Sequence, residues 1–308
     1  SDVTAILDLL GLSDEEKHIV PSTPAAYFLA LRQSSFPKLA ETSDRDAIDL
    51  YMDSYLKTYI ERDIRELLGI QKRREFEVFV RMCALRTAQV INYDELGRDS
   101  GVSAVTAKEW LGLLEDSFLV RLVYPYHSNR TKRLIKSPKL YFLDSGLAAW
   151  LAGWRDPEML RLGPQSGAVF ETHIFGQLLR YFRHRCRDVS ITFWRTRDGE
   201  EIDFLVEADG RVTPVEAKLG SPDARKLPRL ANIAEPSWQH GRVLSLTAPS
   251  AEASPTALSQ EWWLNSPLDL RFLDRTHAGS PLMPTPLSLI HISEPTRLRR
   301  ISYAVFCL

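Results

Sequence analysis

The chain has 308 residues, of which 44% are hydrophobic and 26% are charged, and its formal net charge is -1. This composition is typical of a globular protein with two or three modest cores, and the near-zero charge excludes an overall electrostatic attraction to nucleic acid or to a membrane. The three cysteines form no CxxC pair, which argues against a zinc cluster or a disulfide framework and favours the cytoplasm. Because no apolar run is long enough to cross a bilayer, we expect no membrane partner.

Both ends of the sequence look unlike the ends of a complete gene product. The chain opens on Ser1 rather than on Met, so we expect it to be a fragment. Residues 287–297 and 301–308 resemble translated DNA-sequencing adapter. We therefore predict an unstructured tail over 276–308, of which 287–308 is an adapter artefact with no functional meaning. The alternative is a natural basic and aromatic tail.

Apolar periodicity predicts that the first half of the chain is mainly helical. Prolines at positions 21, 24 and 37 predict an interruption of any long helix in the first forty residues. Gly69 is expected to end the first periodic segment, and Ser103 is the expected N-cap of the last one. The predicted helices cover residues 44–68, 74–88, 93–99 and 103–117.

The last two of these helices precede a pair of strands. A tight turn around Gly101 joins the two helices, and strand-like runs follow at 118–124 and 139–143. Helix, turn, helix and β-hairpin are the order of a winged helix-turn-helix. The sequence therefore predicts a helical and winged-helix domain over residues 44–152.

The second half is predicted to contain one long helix followed by short strands. Residues 168–182 carry a single apolar stripe, which is typical of a helix. Two Asp-Gly pairs, at 198–199 and 209–210, separate strand-like runs, and this dipeptide is the strongest short signal for a β-hairpin. The expected strands cover residues 190–196, 201–207, 211–219 and 242–246. We predict an α/β domain with a central mixed sheet over 153–275, so that the whole chain is of the α+β or α/β class.

Four charged side chains of this half are expected to meet. Alternation along two neighbouring strands places Asp203 on one face with Glu216 and Lys218, and Glu171 lies near the start of the preceding helix. Three carboxylates around one point repel each other unless a hard divalent cation neutralises them, and Lys218 could orient the attacking water. The alternative is an ordinary sheet with one solvated face, on which acidic and basic residues pair across strands.

Several motifs in a fixed order resemble one prokaryotic family. They are the runs at 55–65, 136–147, 167–171, 193–195 and 201–205. These motifs resemble the prokaryotic AAA-type ATPases whose C-terminal half is the domain of unknown function 4143. Asp203 followed by the Val-Glu-Ala-Lys run at 215–218 resembles the PD-(D/E)XK pattern of restriction-endonuclease-like folds. The resemblance covers roughly residues 2–246.

The resemblance implies a DNA-binding and nuclease-like module that serves an ATPase. It implies Mg²⁺ or Mn²⁺ held by Glu171, Asp203 and Glu216, with Asp203, Glu216 and Lys218 as the catalytic residues of DNA phosphodiester hydrolysis. Residues 1–43 would be the end of the ATPase module and a linker. No Gly is followed by the Lys-Ser/Thr of a Walker A motif, so we expect no ATPase activity from this fragment. The alternative is a catalytically inactive module that recognises DNA or a protein for the missing ATPase module.

A basic window in the predicted winged helix is the expected nucleic-acid surface. It contains no acid between Asp116 and Asp144. Cations on a wing would contact the phosphate backbone with little sequence specificity and strong dependence on salt. The alternative is a solvated loop, or a surface that pairs with an acidic partner such as the ATPase module. The expected contacts are Arg130, Lys132, Arg133, Lys136 and Lys139, together with Lys108 on the preceding helix.

Overall fold

The computed structural model describes residues 24–40, 42, 44–59, 73–126, 137–184, 188–196, 199–220, 241–245 and 258–262. Within these residues it is a mixed α+β structure, as predicted. The helices are α1 (Pro24–Gln33), α2 (Pro37–Ala40), α3 (Arg45–Tyr59), α4 (Arg73–Leu85), α5 (Tyr93–Ser100), α6 (Ala104–Asp116), α7 (Ser145–Leu151), α8 (Pro157–Leu162) and α9 (Ser166–His184). The strands are β1 (Gln89–Val90), β2 (Val120–Val123), β3 (Lys139–Phe142), β4 (Ser190–Arg195), β5 (Glu201–Ala208), β6 (Arg211–Lys218), β7 (Gly241–Ser245) and β8 (Leu258–Trp262).

Helices α1 and α2 occupy the segment whose prolines predict an interruption. Pro24 and Pro37 are the first residues of the two helices. A proline is tolerated there because the N–H that it lacks would have no partner within the helix. Both prolines begin a helix, and the segment has two short helices separated by residues 34–36 rather than one long helix, as predicted. The predictions for residues 1–23, 60–68 and 276–308 lie outside the described residues.

Helices α5 and α6 are joined by the predicted tight turn around Gly101. The Ser103 hydroxyl accepts a hydrogen bond from the backbone N–H of Thr106 at 3.1 Å, which confirms the predicted N-cap. Gly101 ends α5 in the left-handed conformation, with φ of 73°. The first sheet has three antiparallel strands in the order β1-β3-β2. Val123 of β2 lies opposite Lys139 of β3.

The second sheet is mixed, as predicted, and has the order β4-β5-β6-β7-β8. Strands β4, β5 and β6 are antiparallel, whereas β6, β7 and β8 run parallel. The β5–β6 hairpin turns through Asp209 and Gly210, with φ of 49° and 72°. Two central residues with positive φ make a type I′ turn, which confirms the hairpin predicted from Asp-Gly. Strand β8 was not among the predicted strands.

The two sheets touch at their edges. Residues beyond the end of β2 run parallel to β4, and Pro125 forms a bridge with Phe193. The backbone N–H of Tyr126 donates to the Phe193 carbonyl at 2.5 Å, and the Phe193 N–H donates to the Tyr124 carbonyl at 3.3 Å. This junction holds β3 beside the second sheet.

The described residues form two apolar cores. The first is built mainly from α3, α4, α6 and α7. The second is built around α9 and the strands β4, β5 and β6, and it also contains Tyr27, Phe28 and Leu31 of α1. None of the described helices is long and apolar enough to cross a membrane.

Candidate functional site

Four carboxylates and two ammonium groups meet between α9 and the two sheets. We call this group the carboxylate cluster. Its acidic members come from α9, β5 and β6, and its lysines come from β3 and β6. The members are Lys139, Glu171, Glu201, Asp203, Glu216 and Lys218.

Asp203 and Glu216 are locked together by the β5–β6 ladder. Phe204 pairs with Val215, so the residues before and after them stand opposite each other. The Asp203 N–H donates to Glu216 Oε2 at 3.3 Å, and the Ala217 N–H donates to Asp203 Oδ2 at 2.9 Å. Each carboxylate therefore accepts a hydrogen bond from the backbone of the neighbouring strand, which fixes its orientation.

This pair lies on a covered face of the sheet. Asp203 is only 8% exposed and Glu216 only 7%. Strand β5 is buried continuously from Ile202 to Val206, so both of its faces are covered. The alternative of a solvated face with outward-pointing acids does not fit this burial.

Lys218 gives the pair its nearest cation. Its ammonium forms an ion pair with Glu216 and lies 3.8 Å from Asp203 Oδ2. The Lys218 side chain remains partly exposed, unlike the two carboxylates. It is thus placed between the buried acids and the solvent, where a substrate could reach it.

Glu171 joins the cluster through different partners. Its Oε1 accepts a hydrogen bond from the Tyr141 hydroxyl at 2.5 Å and another from Lys139 Nζ at 3.0 Å. Lys139 also forms an ion pair with Glu201, and its ammonium lies 5.5 Å from the centre of the Phe193 ring. Glu171 is therefore turned towards an internal lysine.

The position of Lys139 corrects its predicted role. The sequence placed it among the cations of an exposed basic window, but it is only 3% exposed in the structure. An ammonium between two carboxylates in the interior has no surface on which to contact a phosphate backbone. Lys139 belongs to the carboxylate cluster.

Burial and mutual repulsion raise the pKa of two acids of the cluster. Burial raises the pKa of Glu171 to about 7, with a further contribution from the charge of Asp203, while Lys139 and Tyr141 act against this rise. Burial and Asp203 likewise raise the pKa of Glu216 to about 7, against the effect of Lys218. Burial alone would lower the pKa of Lys139, but the surrounding carboxylates outweigh it and raise that pKa. The lysines therefore do not fully offset burial and the repulsion between the acids, and both Glu171 and Glu216 are partly protonated at neutral pH.

The donor set fits a hard divalent cation in part. All the acidic donors are carboxylate oxygens, which Mg²⁺ and Mn²⁺ prefer. When all four carboxylates are ionised, the two ammonium groups leave two negative charges, and Arg195, half exposed and 3.7 Å from Glu201, screens them weakly. Within the described ranges, however, no three Asp, Glu, His or Cys side chains are arranged to hold a metal ion. Asp203 and Glu216 remain as a two-carboxylate site, and Mg²⁺ in phosphoryl-transfer sites often has only one or two protein carboxylates.

His173, two residues from Glu171 on α9, contacts residues outside the cluster. Its Nδ1 is 3.3 Å from the Ser145 hydroxyl and its Nε2 is 3.1 Å from the Gln177 amide. Burial, with a smaller effect of Arg180, lowers the pKa of His173 to about 3, so the ring is neutral. The His173 ring packs edge-on against the ring of Tyr27 and so joins α9 to α1.

The predicted nucleic-acid residues are only partly visible. Lys108 is exposed on α6, where Glu109 and the exposed apolar Val105 are its neighbours. Arg130, Lys132, Arg133 and Lys136 lie outside the described residues, so their role stays a prediction.

Sequence reasoning missed that β3 contributes to the cluster. Lys139 and Tyr141 both contact Glu171. They are two residues apart on a strand, so their side chains point to the same face. That spacing was the available signal, but the partner carboxylates are distant in the sequence.

Comparison with known proteins divides the chain into two matched regions. Residues 26–158 match a domain of unknown function (DUF8612), and residues 166–253 match a domain of unknown function (DUF4143), the domain named from the motifs. Two uncharacterized mycobacterial proteins, Rv2008c of Mycobacterium tuberculosis and Mb2031c of Mycobacterium bovis, are each 32% identical over 221 residues. The alignment covers 70% of this chain and 47% of each relative, so the chain spans about half the length of the curated relatives it matches. No solved structure is significantly similar.

Proposed function

We propose that the carboxylate cluster is the centre of a divalent-cation-dependent phosphodiesterase that acts on DNA. The observation that carries this proposal is the buried pair of Asp203 and Glu216 beside the partly exposed Lys218. Such a pair has excess negative charge in a covered site, and a hard cation is the partner that would stabilise it. The helix-turn-helix half would supply the contacts with DNA.

Asp203, Glu216 and Lys218 would have different roles in the reaction. A cation at this site would polarise the phosphate and lower the pKa of a bound water. Asp203 and Glu216 would hold the cation, and the two backbone N–H groups that they accept from keep both carboxylates in place. Lys218 would donate a hydrogen bond to a phosphate oxygen and so stabilise the charge that develops there.

The order of elements supports the finer interpretation of the fold. Helix α9, the antiparallel strands β4 to β6 and the parallel strands β7 and β8 are compatible with a restriction-endonuclease-like core. The α5-α6-β2-β3 succession is compatible with a winged helix. Because the chain spans about half of its curated relatives, we further propose that the full-length protein contains the ATPase module implied by the motifs.

Nicking of supercoiled plasmid DNA in the presence of Mg²⁺ or Mn²⁺ tests this proposal. We expect Asp203→Asn and Lys218→Ala each to reduce nicking by about 100-fold, which is the typical effect of removing one charge-stabilising group. Asp53→Asn and Lys57→Ala are matched controls, because these residues form an exposed ion pair on α3, and both should nick like the wild type. Unchanged nicking by Asp203→Asn and Lys218→Ala would overturn the proposal.

A catalytically inactive recognition module is the second candidate. It is favoured by the lysine partner that each carboxylate of the cluster already has, Lys139 for Glu171 and Glu201, and Lys218 for Asp203 and Glu216. This candidate predicts salt-sensitive DNA binding that persists in EDTA, without nicking. If the chain binds no nucleic acid at low salt, recognition of a protein becomes the better explanation.

A further inference from the structure

The ammonium of Lys139 lies between two carboxylates that come from different elements of the fold. It lies 3.0 Å from Glu171 Oε1 and also forms an ion pair with Glu201. One point is thus within hydrogen-bond distance of carboxylate oxygens from α9 and from β5. The Tyr141 hydroxyl donates to the same oxygen of Glu171 and helps to orient it.

This ammonium is a fixed part of the fold. Lys139 pairs with β1 through Val90 and with β2 through Val123, so its backbone lies in the middle strand of the first sheet. Its side chain is buried and its Nζ lies over the Phe193 ring of the second sheet. A surface lysine can exchange its partners with water, but this one has its partners supplied by the packing of α9 and β5 against β3.

We propose that Lys139 is a built-in cation that takes the place of a second divalent ion, so that the cluster binds one divalent cation and not two. This inference rests on the proposed function, because it takes Asp203 and Glu216 as the site of the single cation. Lys139 is thereby a positioning residue that holds Glu171 and Glu201 away from that cation.

The charges of the cluster give the reason. Lys139 forms ion pairs with Glu171 and Glu201, which leaves these two acids little attraction for a further cation. Replacing Lys139 by Met keeps most of the side-chain volume but removes the charge. Two acidic side chains from α9 and β5 would then face one another, and a divalent cation would restore the balance.

Mn²⁺ binding, followed by the electron paramagnetic resonance signal of free Mn²⁺, counts the bound ions directly in the full chain. We expect one Mn²⁺ for the wild type and two for Lys139→Met. The double variant Lys139→Met/Glu171→Gln should bind one, since it lacks both the cation and one acid of the new site. Lys57→Met removes an exposed lysine elsewhere and should bind one.

The outcomes separate this inference from the function on which it rests. If the wild type binds no Mn²⁺, the proposed cation site is wrong. If the wild type binds two, or if folded Lys139→Met still binds one, the site exists but Lys139 does not replace an ion.

A second variant covers the case in which Lys139→Met does not fold. Glu171→Gln keeps the shape of the side chain and leaves Lys139 paired with Glu201. We expect its Mn²⁺ dissociation constant to stay within about threefold of the wild type. Weakening by more than about tenfold would make Glu171 a ligand of the single cation and would overturn the inference.

Discussion

At the scale of single residues, the cluster shows burial and charge acting in opposite directions on the same groups. Glu171 and Glu216 have a lysine partner each, yet burial and the charge of Asp203 raise the pKa of both to about 7. The lysine partners therefore do not keep the pKa of either acid at its ordinary value. A group that is partly protonated at neutral pH binds a cation in competition with a proton.

The cation-free protein should lose stability as these two acids ionise. Their pKa is about 7 in the folded chain, against 4.5 for an unperturbed Glu, so protons favour the folded state between these values. We expect the free energy of unfolding in EDTA to fall as pH rises through this window, by on the order of 2 kcal/mol per carboxyl. Mg²⁺ should raise the Tm more at about pH 8 than at about pH 5.5, because its proposed ligand Glu216 is ionised only at the higher pH.

The variant Glu171→Gln/Glu216→Gln provides the comparison for this prediction, with denaturant unfolding as the measurement. The difference between wild type and variant cancels the effect of other groups. Among these, His173 acts in the opposite direction: because its folded pKa is about 3, it contributes stability above about pH 6.5 that is lost on acidification. Equal pH dependence of wild type and variant would contradict the assignment of raised pKa values to the two acids.

The residue scale also shows where sequence reasoning ended. Asp203, Glu216 and Lys218 were placed together by strand alternation, which is a local property, and the structure brings them together. Lys139 was counted with a basic window because no acid is near it in the sequence. Its partners Glu171 and Glu201 are brought to it only by the packing of α9 and β5, which no local pattern reveals.

At the scale of elements, short-range chemistry predicted the structure well where a turn has a specific requirement. The Asp209-Gly210 pair predicted a hairpin because both turn residues need positive φ, and both have it. Proline was less informative, since it starts a helix as readily as it ends one. Helix α8, which the sequence analysis does not predict, begins with Pro157 behind the N-cap Asp156.

The packing of α5 against α6 depends on close contact at Gly97. A Cβ added there would lie 2.8 Å from the Val102 carbonyl oxygen in the following turn and 3.1 Å from the Ala104 backbone nitrogen at the start of α6. Because backbone atoms cannot move aside separately, we expect Gly97→Ala to destabilise the protein by roughly 1–3 kcal/mol, measured by denaturant unfolding.

Gly112 on α6 is the matched control for this prediction. A Cβ added there meets nothing within 4 Å, and alanine is favoured over glycine inside a helix. Gly112→Ala should therefore leave stability unchanged or raise it by up to about 1 kcal/mol. If Gly97→Ala behaved like Gly112→Ala, the α5–α6 turn would not be packed as described.

At the scale of the whole molecule, the second core is built from elements that are far apart in the sequence. Helix α1 comes before the first core in the sequence, yet its Tyr27, Phe28 and Leu31 pack in the second core around α9. The Tyr27 ring lies 5.7 Å from the Phe170 ring in an edge-to-face contact. The sequence predicted a linker here, because the apolar face of α1 becomes evident only from its contact with α9.

Tyr27→Ala tests whether α1 belongs to that core. Tyr27 is 2% exposed, and we expect its truncation to lower the free energy of unfolding by about 3–5 kcal/mol, the usual cost of emptying an aromatic core position. Leu29 lies on the same helix but is 55% exposed, so Leu29→Ala should change stability by less than about 1 kcal/mol. Similar, small effects of both substitutions in thermal unfolding would show that α1 is not part of the core.

Anomalous diffraction from crystals of the full chain soaked in Mn²⁺ would locate the proposed cation. We expect a peak between the carboxylates of Asp203 and Glu216, about 2.1 Å from an oxygen of each, with the Lys139 ammonium still between Glu171 and Glu201. A soaked crystal without a peak at Asp203 and Glu216, or with its only peak elsewhere, would contradict a cation-dependent centre at this cluster.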